Sequence, residues 1–524
     1  MSSAPARRLQ FAFLILLFLT AFGFRLARLG HLSLAEDEAA KWEAIEQYRQ
    51  GRFSGVNSEH PMLMKVEAWG SLDAGEAYNR WAMRHGRQPV AEEAWLRLPN
   101  VFLGAATAVV LYLLARQMLG PLGAGLAGFL CAISPLSVAL NRVLKEETPY
   151  TFFTLLAFYL YFLAKLAPAE GKSKLWFTLA GVAFGLGMAS EYLVIGQFGL
   201  IVLIWYAANR AGIPSRQMGP HFRRLVLVAG LIFVLCDPVI LSPANLKAMT
   251  RYSEEKTLQH RGYLMDGRLY LNNALTTPYG LPWYYYLWVL AVKTPLPVLA
   301  AGAAGILLLF FERRSLISIF LRVTLTFWFL PYSLAGSKWI RYMLVLLPSF
   351  YLAAGWAVEK LSAWSRFRSR RAAWRVAVAG CVLALVVWPL VDTMSWSPYE
   401  RLYLNVLGGG RNRVGQLFPP DEVYDLGVRD AARYVCRVAP PGARFATSDP
   451  MAMGFYAVLF RRKDLDIESL FDPDYKFRSG DFVLMQESRR YFETDGLIDL
   501  VRKIRRPARV ERVDGLVTAE VYRF

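Results

Sequence analysis

The sequence predicts a polytopic α-helical membrane protein that is followed by a soluble α/β domain. Of its 524 residues, 55% are hydrophobic and only 19% are charged, whereas soluble domains usually have about 25% charged residues. Many apolar runs reach the roughly 20 residues that cross the hydrocarbon core of a bilayer. These runs stop near Ser395. The change in composition predicts a membrane domain, 1–393, and a C-terminal domain, 394–524.

Eleven apolar runs in the membrane domain predict transmembrane helices. The first run follows Arg7 and Arg8, and no clear small-residue cleavage site comes after it. We therefore interpret it as an uncleaved helix and not as a signal peptide. The predicted spans are 9–28, 97–117, 119–140, 149–166, 175–190, 193–208, 224–243, 284–310, 315–335, 340–360 and 374–393.

The net charge of +19 resides mainly in short loops between apolar runs, which is typical of the cytoplasmic side of a membrane protein. A nucleic-acid partner is not expected, because no aromatic platform for base stacking accompanies the basic loop 366–375. A cytoplasmic N-terminus places the following basic residues inside: Arg7, Arg8, Lys165, Lys172, Lys174, Arg210, Arg216, Arg223, Arg224, Arg313, Arg314 and the arginines of 366–375.

The same orientation predicts which segments lie outside the membrane. The external segments are 29–96, 141–148, 244–283 and 336–341. An odd number of spans also leaves the C-terminal domain outside. The expected location is the inner membrane of a bacterium, with the C-terminal domain in the periplasm.

The first external segment, 29–96, is too long for a simple connector. It opens with Glu36, Asp37 and Glu38, and a helical pattern then continues to Gly51. Acidic residues in the first turn of a helix interact favourably with the helix dipole. This pattern predicts a helix that lies along the membrane surface.

The C-terminal domain combines one amphipathic helical pattern with several short strand patterns. The helix is predicted at 425–438, and the strands at 444–447, 481–485 and 517–524. Three of the four cysteines fall in apolar segments, and no CxxC pair is present. The sequence therefore predicts a small α/β domain without a disulfide framework or a cysteine metal site.

Charged residues at membrane depth or in tight external turns indicate function. A central Asp, Lys or Arg costs roughly 2.5–3.5 kcal/mol on insertion scales, and basic residues are unusual in short external loops. These two criteria select Asp37, Glu38, Arg142, Lys145, Glu146, Glu147, Glu191, Lys293, Lys338 and Arg341. Cations near the interface can neutralise a lipid phosphate, and a nearby carboxylate can accept the proton of an attacking hydroxyl. Sugar transfer from a polyprenyl-phosphate carrier to an acceptor hydroxyl requires both groups.

Several short motifs occur in a fixed order through the membrane domain. They are Asp37-Glu38, His60-Pro61-Met62-Leu63-Met64-Lys65, Arg97-Leu98-Pro99, Asn141-Arg142 with Glu147 and Phe152-Phe153, Pro282 to Tyr286, Lys293 to Pro295, and Lys338 with Arg341 and Tyr342. In these motifs the chain resembles the GT-C membrane glycosyltransferases, specifically the protein O-mannosyltransferase and aminoarabinose-transferase group, which is like glycosyltransferase family 39. The resemblance covers about residues 9–393.

The resemblance implies a role for each motif. Asp37 would be the general base on the acceptor hydroxyl in an inverting single displacement, and Glu38 would support it or contact a substrate. His60 and Lys65 would shape the mouth of the site, where Glu147 and Tyr342 are further substrate-site candidates. The lipid-phosphate clamp would consist of Arg142, Lys293, Lys338 and Arg341. The family does not generally need a catalytic metal, and the sequence leaves a divalent ion open.

Two positions depart from the family pattern. Met62 stands where relatives have the second proline of His-Pro-Pro, and Glu191 stands where many relatives have a lysine. These differences leave the sugar undetermined. Lipid A, a cell-wall glycan and protein Ser/Thr residues all remain as acceptors, and the C-terminal domain would recognise the acceptor or cover the site.

Other interpretations of the same residues remain open at the level of sequence. The Asp37-Glu38 pair would also suit the dipole of a surface helix, and Lys293, Lys338 and Arg341 would also serve as interface anchors. A transporter or lipid flippase is the main alternative function, although we find no internal symmetry of the kind such proteins often show. A non-catalytic scaffold is the third.

Overall fold

The structure is a computed structural model that describes residues 4–35, 37–166, 170–192, 195–212, 219–254, 259–273, 275–365 and 371–524. Among the residues discussed above, Glu36, Arg216, Arg366, Arg368 and Arg370 lie outside this set. Helices dominate the chain up to residue 396, and most of the β-strands come after it.

Sixteen helices in the described residues precede the C-terminal domain. Each of the eleven predicted spans coincides with one of them or with a pair that a proline interrupts. The helices are α1 Ala4–Leu26, α2 Glu38–Arg49, α3 Leu63–Arg84, α4 Glu92–Ala115, α5 Pro121–Ile133, α6 Pro135–Asn141, α7 Glu147–Leu166, α8 Glu170–Met188, α9 Ile195–Arg210, α10 Gly219–Cys236, α11 Pro243–Glu254, α12 Tyr285–Lys293, α13 Leu296–Phe311, α14 Leu316–Leu334, α15 Met343–Ser365 and α16 Arg371–Trp396.

Length and hydropathy together identify the strongest membrane-spanning candidates in the described part of the chain. Five helices are long and apolar enough to cross a membrane, and a sixth span results if α5 and α6, which meet at 55°, are one broken helix. Shorter helices such as α13 fall below the length criterion. The fold class of a helical membrane protein with a C-terminal sheet is thus confirmed, whereas the number of spans stays a prediction.

A buried arginine stabilises the break between α5 and α6. Pro135 has no backbone N–H, so the carbonyl of Cys131 loses its helical donor. The guanidinium of Arg25 in α1 donates to the carbonyl oxygens of Cys131 at 2.9 Å and Ala132 at 2.9 Å, and to the Asn141 side chain at 2.9 Å. These bonds compensate the buried charge, because the guanidinium donates to two carbonyl oxygens at the break and to a side-chain amide oxygen.

Glycines allow the helices of the bundle to pack closely. At Gly355 in α15, an added Cβ would overlap the backbone oxygen of Gly123 in α5, and at Gly305 in α13 it would overlap the backbone of Ala353. Small residues at such crossings let helix backbones approach each other in a membrane, where lipid provides no hydrophobic drive for association.

Two strands lie between α11 and α12. β1 Gln259–Met265 and β2 Arg268–Asn273 form an antiparallel hairpin. The sequence predicted this segment only as external chain, and the hairpin was not predicted. Asn272 of β2 accepts a hydrogen bond from the backbone N–H of Lys338 at 2.8 Å. The hairpin therefore supports the segment between α14 and α15.

The C-terminal domain contains a five-stranded mixed sheet flanked by helices. Its strands lie in the order β4-β3-β5-β7-β6, with β3 parallel to β4 and β5 and β7 antiparallel to β5 and β6. The elements are α17 Pro419–Glu422, α18 Val428–Val438, β3 Arg444–Thr447, α19 Pro450–Leu459, β4 Asp466–Ser469, β5 Phe482–Met485, α20 Asp495–Ile504, β6 Arg509–Val513 and β7 Leu516–Arg523. The predicted helix and the three predicted strands are α18, β3, β5 and β7. The partly exposed strands β4 and β6 were not predicted.

The C-terminal domain packs against the segment between α1 and α4. Ile45 and Met64 share one apolar core with Val435 and Phe455. The Trp42 ring meets the Phe455 ring edge to face at 5.1 Å. The predicted surface helix, α2, is thus covered by α19 of the C-terminal domain. We call the side of the bundle that carries this domain the domain face.

Candidate active site

Two loops and the start of α2 meet at the domain face. They contribute the residues around Asp37, around Lys145 and around Arg341, which were all predicted to lie on one side of the membrane. Three acid–base pairs join them: Asp37 with Lys145, Glu146 with Lys41, and Glu147 with Arg341. Their convergence brings carboxylates and cations into one site.

Asp37 immediately precedes α2, and its side chain makes no capping bond to the helix backbone. The carboxylate forms an ion pair with Lys145 and remains 34% exposed. Burial opposes its ionisation, but the charges of Lys145, Lys41 and Arg341 hold the pKa of the Asp37 carboxyl far below its usual range. Asp37 is therefore an ionised, partly accessible carboxylate in a cationic environment.

Glu38 is completely buried, although it is the next residue in the chain. Its carboxylate accepts hydrogen bonds from Arg97 at 2.8 Å, from the N–H of Leu144 at 2.7 Å and from the N–H of Ala35 at 2.8 Å. Burial raises the pKa of Glu38, and the larger combined effect of Arg97 and the two backbone donors lowers it. This pattern indicates that Glu38 holds α2, α4 and the loop after α6 together.

The second acid–base pair lies one helical turn beyond Asp37. Lys41 contacts Glu146 at 3.0 Å, and Nδ1 of His60 lies 3.5 Å from the same carboxylate. Lys41 was not among the residues selected from the sequence. Its spacing of four residues from Asp37 places both on one side of α2, and this is the signal that would have found it.

The third pair connects α7 with the turn before α15. Arg341 Nε lies 3.1 Å from Glu147, and the guanidinium lies over the rings of Trp339 at 5.0 Å and Tyr342 at 5.3 Å. Burial, together with the negative charges of Glu146 and Glu147, raises the pKa of Glu191 to about 8. Glu191 therefore belongs to the electrostatic environment of the same site, and its carboxyl is harder to ionise than that of an exposed glutamate.

A small cavity of about 10 Å³, which we call the cleft, lies between the bundle and the C-terminal domain. Its membrane-domain side includes Lys145, Glu147 and Arg341, and the segment that follows α16 contributes Arg401, Asp421 and Tyr424. None of these last three residues was selected, because the sequence does not show which part of 394–524 returns to the membrane domain.

Two predicted phosphate-binding cations are paired with carboxylates from the segment after α16. Arg142 contacts Glu400 at 2.5 Å, and it donates to the carbonyl of Ala27 at 2.7 Å. Lys293 contacts Glu422 at 2.8 Å and donates to the carbonyl of Tyr403 at 3.0 Å. Both side chains are buried. In this structure they attach the C-terminal domain to the bundle.

The other predicted lysines bind backbone carbonyls. Lys338 donates to the carbonyls of Leu281, at 3.0 Å, and Ala335, and Lys65 donates to those of Asn57 at 2.6 Å and His60 at 2.9 Å. Burial lowers the pKa of each lysine to about 8. These bonds order the loops that border the site. The Tyr342 ring also stacks on Tyr332, with 5.4 Å between ring centroids.

An apolar cavity of about 260 Å³ lies close to Arg341, on the membrane side of it. Met343, two residues beyond Arg341, is part of its wall. The other lining residues are Tyr286, Leu287, Leu290, Ile306, Leu325, Thr326, Phe329, Leu346 and Phe350. The cationic site is thus adjacent to a cavity with almost entirely apolar walls. In the described part of the chain, no group of three or more His, Cys, Asp or Glu residues could hold a metal ion.

Two family models match the membrane domain. The model of the dolichyl-phosphate-mannose-protein mannosyltransferases matches residues 15–240, and that of the Alg9-like mannosyltransferase family matches residues 270–398. The protein YkcB of Bacillus subtilis strain 168, which carries a mannosyltransferase name, is 34% identical over 117 residues. That match covers 21% of this chain and 15% of the length of YkcB.

Several solved structures match a much larger share of the chain than YkcB does. ArnT from Cupriavidus metallidurans bound to undecaprenyl phosphate matches with a TM-score of 0.55 and 12% identity, over 99% of this chain and 98% of that chain. AglB from Archaeoglobus fulgidus, in complex with an inhibitory peptide and a dolichol-phosphate, matches with a TM-score of 0.54 and 14% identity, over 90% and 65%. Pmt1-Pmt2 from S. cerevisiae, bound to the sugar donor, matches with a TM-score of 0.51 and 12% identity, over 76% and 90%.

These likenesses define the class of protein. The chain has the fold of the GT-C membrane glycosyltransferases, and the predicted resemblance to that group is confirmed. Within the group, the family-model matches concern mannosyltransferases.

The environment of Glu38 leads to a stability prediction. We expect Glu38→Gln to destabilise the protein by about 3–5 kcal/mol, because Arg97 would retain a buried charge without its carboxylate. Thermal unfolding of the purified protein in detergent measures this effect. Glu46→Gln on the same helix is the control, since Glu46 pairs with Arg49 near the surface and such pairs contribute at most about 1 kcal/mol. Equal stability of the two variants would contradict the structural role of Glu38.

Proposed function

We propose that the protein is a membrane glycosyltransferase that moves a sugar from a polyprenyl-phosphate donor to an acceptor hydroxyl. The observation that supports this most directly is Asp37, a partly exposed carboxylate close to three cations and to the cleft below the C-terminal domain. The mannosyltransferase family matches support the reaction class. ArnT and AglB were solved with undecaprenyl phosphate and dolichol-phosphate, which supports a lipid-linked donor.

The donor would occupy two adjoining regions of the site. Its isoprenoid chain suits the apolar cavity beside Met343, because this cavity lies among the helices and has nearly no polar surface. Its phosphate would then lie near Arg341 and Lys145, where charge-assisted hydrogen bonds are available. Arg142 and Lys293 form ion pairs with Glu400 and Glu422. These pairs would hold the C-terminal domain against the bundle next to the phosphate.

The reaction would be a single displacement with inversion. The acceptor oxygen would attack the anomeric carbon, its proton would pass to Asp37, and the carbon–oxygen bond to the phosphate would break. The polyprenyl phosphate would leave with the electron pair, and Arg341 would stabilise its negative charge.

Donor binding would also change the basicity of Asp37. The neighbouring cations make the Asp37 carboxylate a weak base. An anionic phosphate close to Lys145 and Arg341 would compensate their charges, and the pKa of Asp37 would then rise towards its ordinary value. General bases are most effective when their pKa lies near the operating pH. Binding of the donor would thus make Asp37 a stronger base before the acceptor hydroxyl reacts.

The positive-inside pattern supports placing the site on the external side of the membrane, with a cytoplasmic N-terminus. The acceptor would then approach at the domain face, between α2 and the C-terminal domain. This direction agrees with the partial exposure of Asp37. The C-terminal domain would cover the site on this side.

The first test removes the proposed base. We expect Asp37→Asn to lower the transfer rate by about 10²–10⁴-fold, since general acid–base catalysis contributes this much, while folding is preserved. Transfer of a radiolabelled sugar from a polyprenyl-phosphate donor by the purified protein measures the rate. Asp73→Asn is the control, because Asp73 is an exposed carboxylate of the same segment, paired with Arg49. Near-normal turnover of Asp37→Asn would refute the mechanism.

The second test concerns the pH dependence. Because the cations keep the pKa of Asp37 very low, acidification from pH 7 to pH 5 should not protonate it, and this group should cause no fall in kcat/KM. In Lys145→Met the strongest cationic influence is lost, so the pKa rises and activity should fall as the pH drops through the new value. The pH profile of kcat/KM shows this, since it reports the free enzyme. Lys463→Met, at an exposed position, should leave the profile unchanged. A Lys145→Met profile identical to that of the wild type would contradict the coupling.

A further inference from the structure

Arg401 lies in the cleft between the membrane domain and the C-terminal domain. It follows α16 in a one-turn 3₁₀ helix, Glu400–Leu402. Its side chain lines the cleft together with Lys145, Glu147 and Arg341. The cleft therefore has three cationic side chains. Two of them belong to the membrane domain, and Arg401 belongs to the segment that follows α16.

The charge of Arg401 is less directly compensated than that of the other cations in the area. Lys145, Arg341 and Arg142 each contact a carboxylate. Among the described residues, no carboxylate lies within 4 Å of the Arg401 guanidinium. Asp421 is close enough for its pKa to be affected by Arg401, but its Oδ2 accepts from Tyr263 at 2.5 Å and from the N–H of Ile340 at 3.1 Å.

An aromatic ring holds the guanidinium in place. The guanidinium carbon of Arg401 lies 4.0 Å from the centroid of the Tyr424 ring, which is an arrangement that fixes an arginine while leaving its N–H groups available. Tyr424 is itself buried and lines the same cleft. The stack therefore presents a positioned fork of donors to the cleft.

The backbone beneath this stack is held in an unusual conformation. Tyr424 and Asp425 have positive φ angles of 46° and 62°, and non-glycine residues adopt such angles only where the surroundings impose them. Asp425 accepts from Nε of Arg489 at 2.8 Å and Nη2 at 2.7 Å, and from Gln486 at 3.3 Å. Both partners follow β5. The residues that follow β5 thus fix the position of Asp425 and, through it, of the Tyr424 ring on which Arg401 lies.

We propose that Arg401 binds the donor phosphate and that the C-terminal domain thereby forms part of the donor site. The inference rests on the proposed function, because it assigns a ligand within the same cleft. A guanidinium with two parallel N–H groups matches two phosphate oxygens, and it stays charged at every physiological pH. Tyr424, Asp425 and Arg489 are positioning residues that act through Arg401.

The test measures donor binding in the full-length protein reconstituted in nanodiscs. We expect Arg401→Gln to weaken undecaprenyl phosphate binding by about tenfold or more. The reason is that hydrogen bonds between charged groups are stronger than those between neutral groups. Arg401→Lys should restore part of the affinity, and Tyr424→Leu should weaken binding in the same direction. The donor KM should rise in all three variants, and Arg401→Gln should raise it most.

The matched control is Arg411→Gln. Arg411 also follows α16 and lies over an aromatic ring, 4.4 Å from that of Trp396, but it does not line the cleft. Its substitution should leave the affinity and the KM unchanged. Melting temperatures show whether Arg401→Gln folds. If it does not, the affinities of the Arg401→Lys and Tyr424→Leu variants decide the test.

Three results would each have a distinct meaning. If Arg401→Gln binds undecaprenyl phosphate as the wild type does while Asp37→Asn is inactive, the inference is wrong and the proposed function stands. If inorganic phosphate competes at the same concentration as the lipid, the ligand is free phosphate and the inference is also wrong. If the wild type neither binds the lipid nor transfers a sugar, the proposed function itself fails.

Discussion

The buried ion pair between Glu38 and Arg97 determines where the groups of the candidate site lie. Removing two charges from water costs several kcal/mol per ion, and the pair is favourable here because the Glu38 carboxylate also accepts the N–H groups of Ala35 and Leu144. These bonds connect α2, α4 and the loop after α6 through a single group, the Glu38 carboxylate. Asp37 adjoins Glu38 in the chain and Lys145 adjoins Leu144, so the contact between Asp37 and Lys145 is a consequence of the buried pair.

The site is built from compensated charges. Lys41, Lys145 and Arg341 each contact a carboxylate in this structure. Under the proposed function, an incoming phosphate would have to compete with carboxylates for these cations. A carboxylate that lost its partner would become a stronger base, and this would link donor binding to the proposed activation of Asp37. Arg401 differs because a ring and not a carboxylate holds it.

Sequence reasoning found most of the charged residues that meet at the site but missed Lys41, Arg401 and Asp421, and the reasons are physical. Asp37, Glu147 and Arg341 stood out because charge in a tight turn beside an apolar span is costly. Lys41 did not stand out, since a lysine on a surface helix is ordinary. Asp37 and Glu38 were predicted together, but their environments differ, because adjacent helical residues point in directions about 100° apart. Glu38 thus faces Arg97 in the interior, while Asp37 contacts Lys145, a residue that lines the cleft.

Sequence patterns alone predicted the helical membrane architecture and the resemblance to the GT-C group, which are confirmed, and the boundary near residue 395, which stays a prediction. These features follow from local quantities, namely the length of apolar runs, the position of charges and short motifs. The pairing of cations with carboxylates, and the part of the C-terminal domain that reaches the site, became evident only in the folded chain. Glu400, Arg401 and Glu422 lie more than 250 residues from Arg142 or more than 100 from Lys293 in the chain. Contacts over such separations depend on how whole elements pack, and no local pattern records them.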